Sequence, residues 1–237
     1  MMKIFQPTPN SLLIGQIIAQ LMVIPFLMYA SPLEWGIMFF MYFYMLCFGV
    51  TIGYHRYLSH KHFVTSKFFE FFMYFGAHIM MIGPAIPWVA HHRKHHRFTD
   101  TPEDPHAPIH KGFWYCYFCQ VLIIPEIRYA RDMLRSPIAR AQIRYYWLIN
   151  AIFGVTLYAI DPFAVIYAWL APAGLAKVIG SLVFSYSHRN GVANEDTWLG
   201  ILTFGEGFHE SHHEDQSNPA FHKKWDIGYH VIRAIRK

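Results

Sequence analysis

The run HHRKHHRFTDTPED, residues 91–104, decides how the rest of the chain must fold. On a helix, His92 and His96 stand one turn apart with His95 beside them, so three imidazoles reach one small volume. Arg93, Lys94 and Arg97 are interleaved and allow a basic surface patch instead, but imidazole is mostly neutral near physiological pH and adds little attraction for phosphate. Recurrence favours a metal. His209-Glu210-Ser211-His212-His213 repeats the i, i+3, i+4 spacing near the C-terminus, and His55 and His60 add an i, i+5 pair.

These clusters sit in a chain of 237 residues that is 54% hydrophobic, 18% aromatic and only 15% charged. That is more apolar surface than one soluble core of this size needs, so the chain reads as a membrane protein. Its formal net charge of +5 fits the flanks of membrane helices, and no nucleic-acid partner is expected. Three cysteines, Cys47, Cys116 and Cys119, give an odd count without framework spacing, so disulfides are not expected to hold the fold, and the lone C-x-x-C reads as packing. The first ten residues lack the features of a cleaved leader, so the first apolar segment is expected to be retained.

Residues 11–30 and 33–54 are each long enough to cross a hydrocarbon core as a helix, with Ser31-Pro32 breaking them into a hairpin. Residues 145–160 and 163–187 form a second hairpin, broken at Asp161-Pro162. Gln16 and Gln20 are polar for lipid-facing positions and are expected to face another helix or a cavity; Lys177 is read as paired inside the bundle, snorkelling or at a wetter depth. The apolar stretch 67–90 is interrupted by Glu70, His78, Gly83, Pro84 and Pro87. If it spanned, the clusters at 55–60 and 91–96 would lie on opposite sides of the bilayer, so it reads as interfacial or re-entrant. The expected fold is therefore an all-α membrane protein, a single domain over 1–237 with four spans and a helical cap made of 55–144 and 188–237. Of the 20 lysines and arginines, 19 fall in 1–10, 55–144 and 188–237, which places the cap and both termini in the cytosol by the positive-inside rule. The arginine-rich run 126–144 reads as a solvated face near lipid headgroups.

Eight clustered histidines exceed what one zinc takes, so two ions are the economical reading, and imidazole alone leaves the metal open. The pairs His92/His96 and His209/His213 can each grip one ion, while His95 and His212, rotated by roughly 100 degrees, could serve the other. His55 and His60 stand roughly 140 degrees apart on an α-helix. Either the helix frays there or the two serve different metals. Glu206 and Glu210 read as groups that orient imidazoles. The same residues match a zinc-protease pattern, H-E-x-x-H, with Glu210 as base. They also offer overlapping E-x-x-H motifs, but carboxylate-bridged di-iron bundles draw theirs from different helices.

His55-x4-His60, His92-x2-His95-His96 and Gly205-Glu206-Gly207-Phe208-His209-x2-His212-His213 resemble the three histidine boxes of membrane fatty acid desaturases, in particular the acyl-CoA delta-9 (stearoyl-CoA) branch. Gly53-Tyr54-His55-Arg56-Tyr57, Trp88-Val89 and Asp104-Pro105-His106 extend the likeness, which covers residues 50–215. The resemblance implies two iron ions held by nine histidines, the ninth being His188 at the foot of the fourth span. It also implies O2-dependent desaturation of a CoA- or lipid-linked fatty acyl chain, with electrons from an external ferredoxin or cytochrome b5. Hydroxylation is the alternative outcome on such boxes. Trp88 would line the substrate tunnel. An asparagine that carries a water ligand belongs four residues before His188, where this chain has Phe184; Asn190 and Asn194 are the candidates to replace it. The remaining histidines, 62, 78, 91, 106, 110, 222 and 230, match no ligand position, and Asp104-Pro105-His106 is expected to shape a turn beneath the site.

Overall fold

The computed structural model describes residues 5–118, 120–222 and 224–237; Cys119 of the C-x-x-C lies outside them. The regular structure of the described residues is helical, with two isolated β-bridges besides. Four helices are long and apolar enough to cross a membrane: Pro9–Tyr29, Pro32–Ser59, Pro137–Ile160 and Ile166–Gly191. Each of the first three opens on a hydroxyl cap followed by proline. Thr8, Ser31 and Ser136 accept a bond from the N–H three residues on, and proline takes the first helical position, where no N–H is needed. The third helix starts eight residues before the apolar stretch does. A non-helical Tyr145 (φ −120°, ψ 22°) marks the change from its arginine-bearing first half, with Arg140 and Arg144 exposed, to the apolar remainder. Ile14, Ile24, Leu27, Phe40, Val155 and Ile160 are among the large apolar side chains left exposed along the first three helices, a surface that suits lipid rather than water.

The second of these helices changes its winding. From Phe43 to Ser59 it is a π-helix, and the His60 N–H reaches the His55 carbonyl, five residues back, at 3.1 Å. The wider turn brings residues five apart onto one face.

Residues 67–98 form two helices joined by a turn. Helix Lys67–Ile79 runs back along the π-helix, with Gly53 against Met73 and the Gly49 backbone against Gly76 and Ala77. The chain turns through Met81 (φ 62°) and Gly83 (φ 103°), and helix Ala85–Phe98 returns, placing Trp88 beside Tyr54 and His92 beside His55. Polar groups pin this turn within apolar surroundings. Gln142 Oε1 accepts from the Tyr54 hydroxyl (3.2 Å) and Ala85 N–H (3.1 Å), Gln142 Nε2 donates to the Tyr74 carbonyl (3.0 Å), and Gly83 N–H donates to the Tyr146 hydroxyl (3.1 Å). Non-helical backbone is tolerated at membrane depth only where protein satisfies it in this way.

The C-terminal segment closes over the end of the π-helix. Arg56 and Asp226, both fully buried, pair at 2.9 Å; the guanidinium lies 3.8 Å above the Phe221 ring, and Asp226 also accepts from the Phe221 and Tyr229 N–H groups. Gly205 (φ 129°) sits against this pair, and a Cβ there would meet both Arg56 Nη2 and Asp226 Oδ1 at 2.5 Å.

The close approach at Gly49 yields a test. Gly49→Val puts a branched side chain into the Ala77 backbone, an overpacking worth about 1–3 kcal/mol, and the melting temperature of the purified protein in detergent should fall by several degrees. Gly36→Ala, with nothing within 4 Å, should leave it unchanged or slightly raised.

Candidate metal centre

Nine histidines converge in two groups. His55, His60, His92, His96 and His212 form one; His95, His188, His209 and His213 form the other; within each, one nitrogen per residue lies within 4.8 Å of all the others. The helical angle explains the division. On helix Ala85–Phe98, His92 and His96 share a face and join the first group, whereas His95 is rotated away and joins the second. On helix His209–Glu214 the same geometry sends His209 and His213 to the second group and His212 to the first. His55 and His60 both enter the first group. The 140 degrees expected of an α-helix does not apply, because the π-winding turns a five-residue separation onto one side.

The ring nitrogens face one another closely. In the first group, Nε2 to Nε2 separations are 2.8 Å for His60–His92, 2.9 Å for His96–His212, and 3.0 Å for His55–His212 and His92–His96. In the second they are 2.8 Å for His188–His209, 3.2 Å for His209–His213 and 3.3 Å for His95–His213. Behind three rings stands a carboxylate. Nδ1 of His55 lies 2.6 Å from Glu206, that of His95 2.8 Å from Asp104, and that of His188 3.0 Å from Asp100. With its Nδ1 proton donated to the carboxylate, each of these rings keeps the Nε2 lone pair pointing inward. Lone pair facing lone pair is repulsive unless a cation lies between them. Imidazole nitrogens at about 2.1 Å from a metal and at right angles stand about 3 Å apart, so the donor set fits two metal ions.

Electrostatics keep the rings available as ligands. Burial pushes the pKa values of His92, His95, His209 and His212 well below the ordinary imidazole range, and neighbouring imidazoles add to the effect. His60 and His213 are pushed down to about 3, first by burial. Burial also raises the Glu206 carboxyl to about 8, against the pull of the Arg56 guanidinium.

Several sequence expectations change here. Glu210 is exposed and hydrogen-bonds to no histidine among the described residues, so it does not act as Glu206 does. The orienting groups that sequence reasoning missed are Asp100 and Asp104, although both lie in the run 91–104 that drew attention to the site. Neither asparagine replaces the group absent at Phe184. Asn194 Nδ2 donates to the carbonyls of Ser187, Arg189 and Val192, and Asn190 is exposed in a left-handed turn (φ 70°). Phe184 instead packs edge-on against His106, with ring centroids 4.9 Å apart. His106 is more than part of a turn. It is buried, stacks on His95 at 4.3 Å, forms a third cluster with His95 and Asp104, and leaves Nε2 without a partner among the described residues. His78, His110, His222 and His230 are engaged with backbone groups away from the two clusters, whereas His62, bonded to the Gln216 carbonyl, stacks on His60 with ring centroids 5.0 Å apart.

Trp88 stacks on His92 (centroids 5.1 Å apart, planes 14° apart) and forms part of the wall of a cavity of about 360 Å³. His92, His106 and Glu206 line this cavity at the histidines, and Leu46, Val50, Met80 and Val183 give it an apolar wall.

Comparison with known proteins agrees with this geometry. The fatty acid desaturase family description matches residues 33–221. A delta-9 acyl-lipid desaturase of Arabidopsis thaliana is 28% identical over 209 residues, covering 79% of this chain and 67% of the relative. An acyl-CoA 5-desaturase of Anemone leveillei is 32% identical over 214 residues, covering 81% of this chain and 66% of the relative. An sn-1 stearoyl-lipid 9-desaturase of Anabaena variabilis is 27% identical over 208 residues, covering 79% and 75%. The chain thus spans about two thirds of the length of the two plant relatives. Two buried clusters of convergent imidazoles, on a chain with four membrane-length helices and these relatives, place it plainly: it belongs to the fatty acid desaturase family, as an integral membrane fatty acyl desaturase of the delta-9-like branch.

Proposed function

We propose that this chain introduces a double bond, at the delta-9 position, into a lipid- or CoA-linked fatty acyl chain, using O2 and two histidine-held iron ions. The observation that carries the reading is the pair of imidazole clusters opening onto an apolar cavity. His55, His60, His92, His96 and His212 would hold one iron and His95, His188, His209 and His213 the other. When bound, the irons supply O2 activation; overall, one acyl CH2–CH2 and one O2, with two electrons and two protons, become CH=CH and two waters. The chain's own part is positional. Glu206, Asp104 and Asp100 fix the tautomer and direction of the rings behind which they stand. The apolar wall favours an alkyl chain by about 0.8 kcal/mol for each methylene buried, and it excludes water from the reacting carbons. Trp88, stacked on His92 in the cavity wall, sets how far the chain approaches.

Relatives named for delta-9 lipid-linked and for position-5 CoA-linked substrates support the reaction more firmly than the position or the carrier. Electrons come from a separate ferredoxin or cytochrome b5, for which the exposed Arg128, Arg131 and Arg135 offer a basic landing surface. The lysine and arginine distribution puts the iron site and both termini on the cytosolic side, with the spans as two hairpins and the whole chain as one domain.

Expression in cells with simple lipids, followed by extraction and location of new double bonds, tests the reaction. A new monounsaturated product is expected; a new hydroxyl or unchanged lipids would overturn the assignment. Metal analysis tests the partition. Wild-type protein should carry about two irons per chain and His95→Ala about one, since the five-histidine group is untouched; loss of both or neither would count against it. Trp88→Ala should spread the double bond to neighbouring carbons, and an unchanged product position would remove Trp88 from the substrate wall.

A further inference from the structure

The cavity beside the histidines is not apolar throughout. Gln16, Lys177 and Ser181 also line it, and they are 1%, 5% and 2% exposed. Gln16 donates Nε2 to the Met81 carbonyl at 3.0 Å, which leaves Oε1 with no partner among the described residues. Ser181 Oγ is likewise unpartnered. A serine within a helix ordinarily turns its hydroxyl back to the carbonyl four residues earlier, as Ser185 does to Ser181 at 2.9 Å. Ser181 does not. Both groups flank one turn: Gln16 is tied to Met81, and Gly180, next to Ser181, faces the Met80 side chain. Lys177 lies one helical turn from Ser181, with its Nζ 3.4 Å from the Tyr117 carbonyl. Two buried, unmet polar atoms in a cavity wall at membrane depth are costly unless a ligand meets them.

The set has a definite chemistry. Gln16 Oε1 only accepts, the Lys177 ammonium only donates, and the Ser181 hydroxyl does both. A methylene meets none of them. A carboxylate or phosphate offers acceptors alone and would face Gln16 Oε1 unfavourably, whereas a hydroxyl can accept from Ser181 or Lys177 and donate to Gln16. Along the helix, Ser181 and Lys177 stand about 4.5 Å and about 10 Å from Phe184, which touches His106 beside the second cluster. A chain crossing the site would bring carbons a short way from the reacting pair to these groups.

We infer that Gln16, Ser181 and Lys177 form a polar station for a hydroxyl group carried on the acyl chain, so that hydroxylated fatty acyl chains are a preferred substrate class. The inference rests on reading the cavity as the acyl site. The test uses the full-length, iron-loaded protein in detergent and measures displacement of a fluorescent fatty acid by stearic acid and by a series of hydroxystearic acids with the hydroxyl moved one carbon at a time. One narrow range of positions should compete about tenfold or more better than stearic acid, the scale of one well-met buried hydrogen bond pair. That advantage should shrink to less than about threefold in Ser181→Ala and, separately, in Gln16→Leu, each checked for retained iron. Equal competition by every position would mean that water alone fills the station and would overturn the inference while leaving the acyl cavity standing. So would a positional preference that survives both substitutions. If stearic acid itself fails to compete, the acyl reading of the cavity falls, and the inference with it.

Discussion

The buried Nε2 atoms of His188 and His209, 2.8 Å apart and facing lone pair to lone pair because Asp100 and the Glu206 carbonyl take the Nδ1 protons, show the constraint on which this structure depends. Without a cation between them the arrangement is repulsive, and protonation offers no relief where burial already disfavours the charged ring. Much of the surrounding structure supports the arrangement. Carboxylates from two segments, Glu206 and the turn that bears Asp100 and Asp104, stand behind His55, His95 and His188, so that ring orientation is not set by the helices alone. The Arg56–Asp226 pair, fully buried and next in sequence to His55, fastens the C-terminal segment over the site. Loss of one partner of such a pair leaves an uncompensated charge, at a cost of about 3–5 kcal/mol.

Two backbone devices deliver the ligands. The π-helix at 43–59 turns His55 and His60 onto one side, and its winding accompanies an unusually close approach to helix Lys67–Ile79 at Gly49 and Gly76, where neither side has a side chain to separate the backbones. The turn at 80–84 then carries helix Ala85–Phe98 back to the same end, with His92 beside His55. Gln142 and Tyr146, from the third long helix, pay its polar cost at the turn. The same turn bears Met80 and Ile82 in the cavity wall, so the fold that assembles the metal centre also shapes the space next to it.

Much of this was legible in the sequence, because its signals are local. Four apolar stretches of spanning length, breakers at Ser31-Pro32 and Asp161-Pro162, and i, i+3, i+4 histidine spacing follow from helical geometry and membrane thickness, and they indicate an all-helical membrane protein with a two-metal histidine site. The desaturase resemblance rests on the same boxes. Even the sorting of His95 away from His92 and His96 is a property of one helix, since rotation per residue is fixed.

Tertiary structure decided what depends on partners distant in sequence or on non-standard winding. No propensity in residues 43–59 announces a π-helix, so the relation of His55 to His60 could not be read from their spacing. Which acids stand behind the rings was equally hidden. Glu210 lies nearer the histidines in sequence than Asp100 does to His188, yet it faces solvent, because a six-residue helix that turns His209, His212 and His213 inward must turn Glu210 outward. Gln16, Lys177 and Ser181 show the same limit. Sequence marks the first two as anomalous in a membrane span; only packing of the first and fourth long helices around the 80–81 turn brings them to one cavity. Spacing along the chain thus determined the kind of site, and contacts across the chain determined which groups hold and surround it.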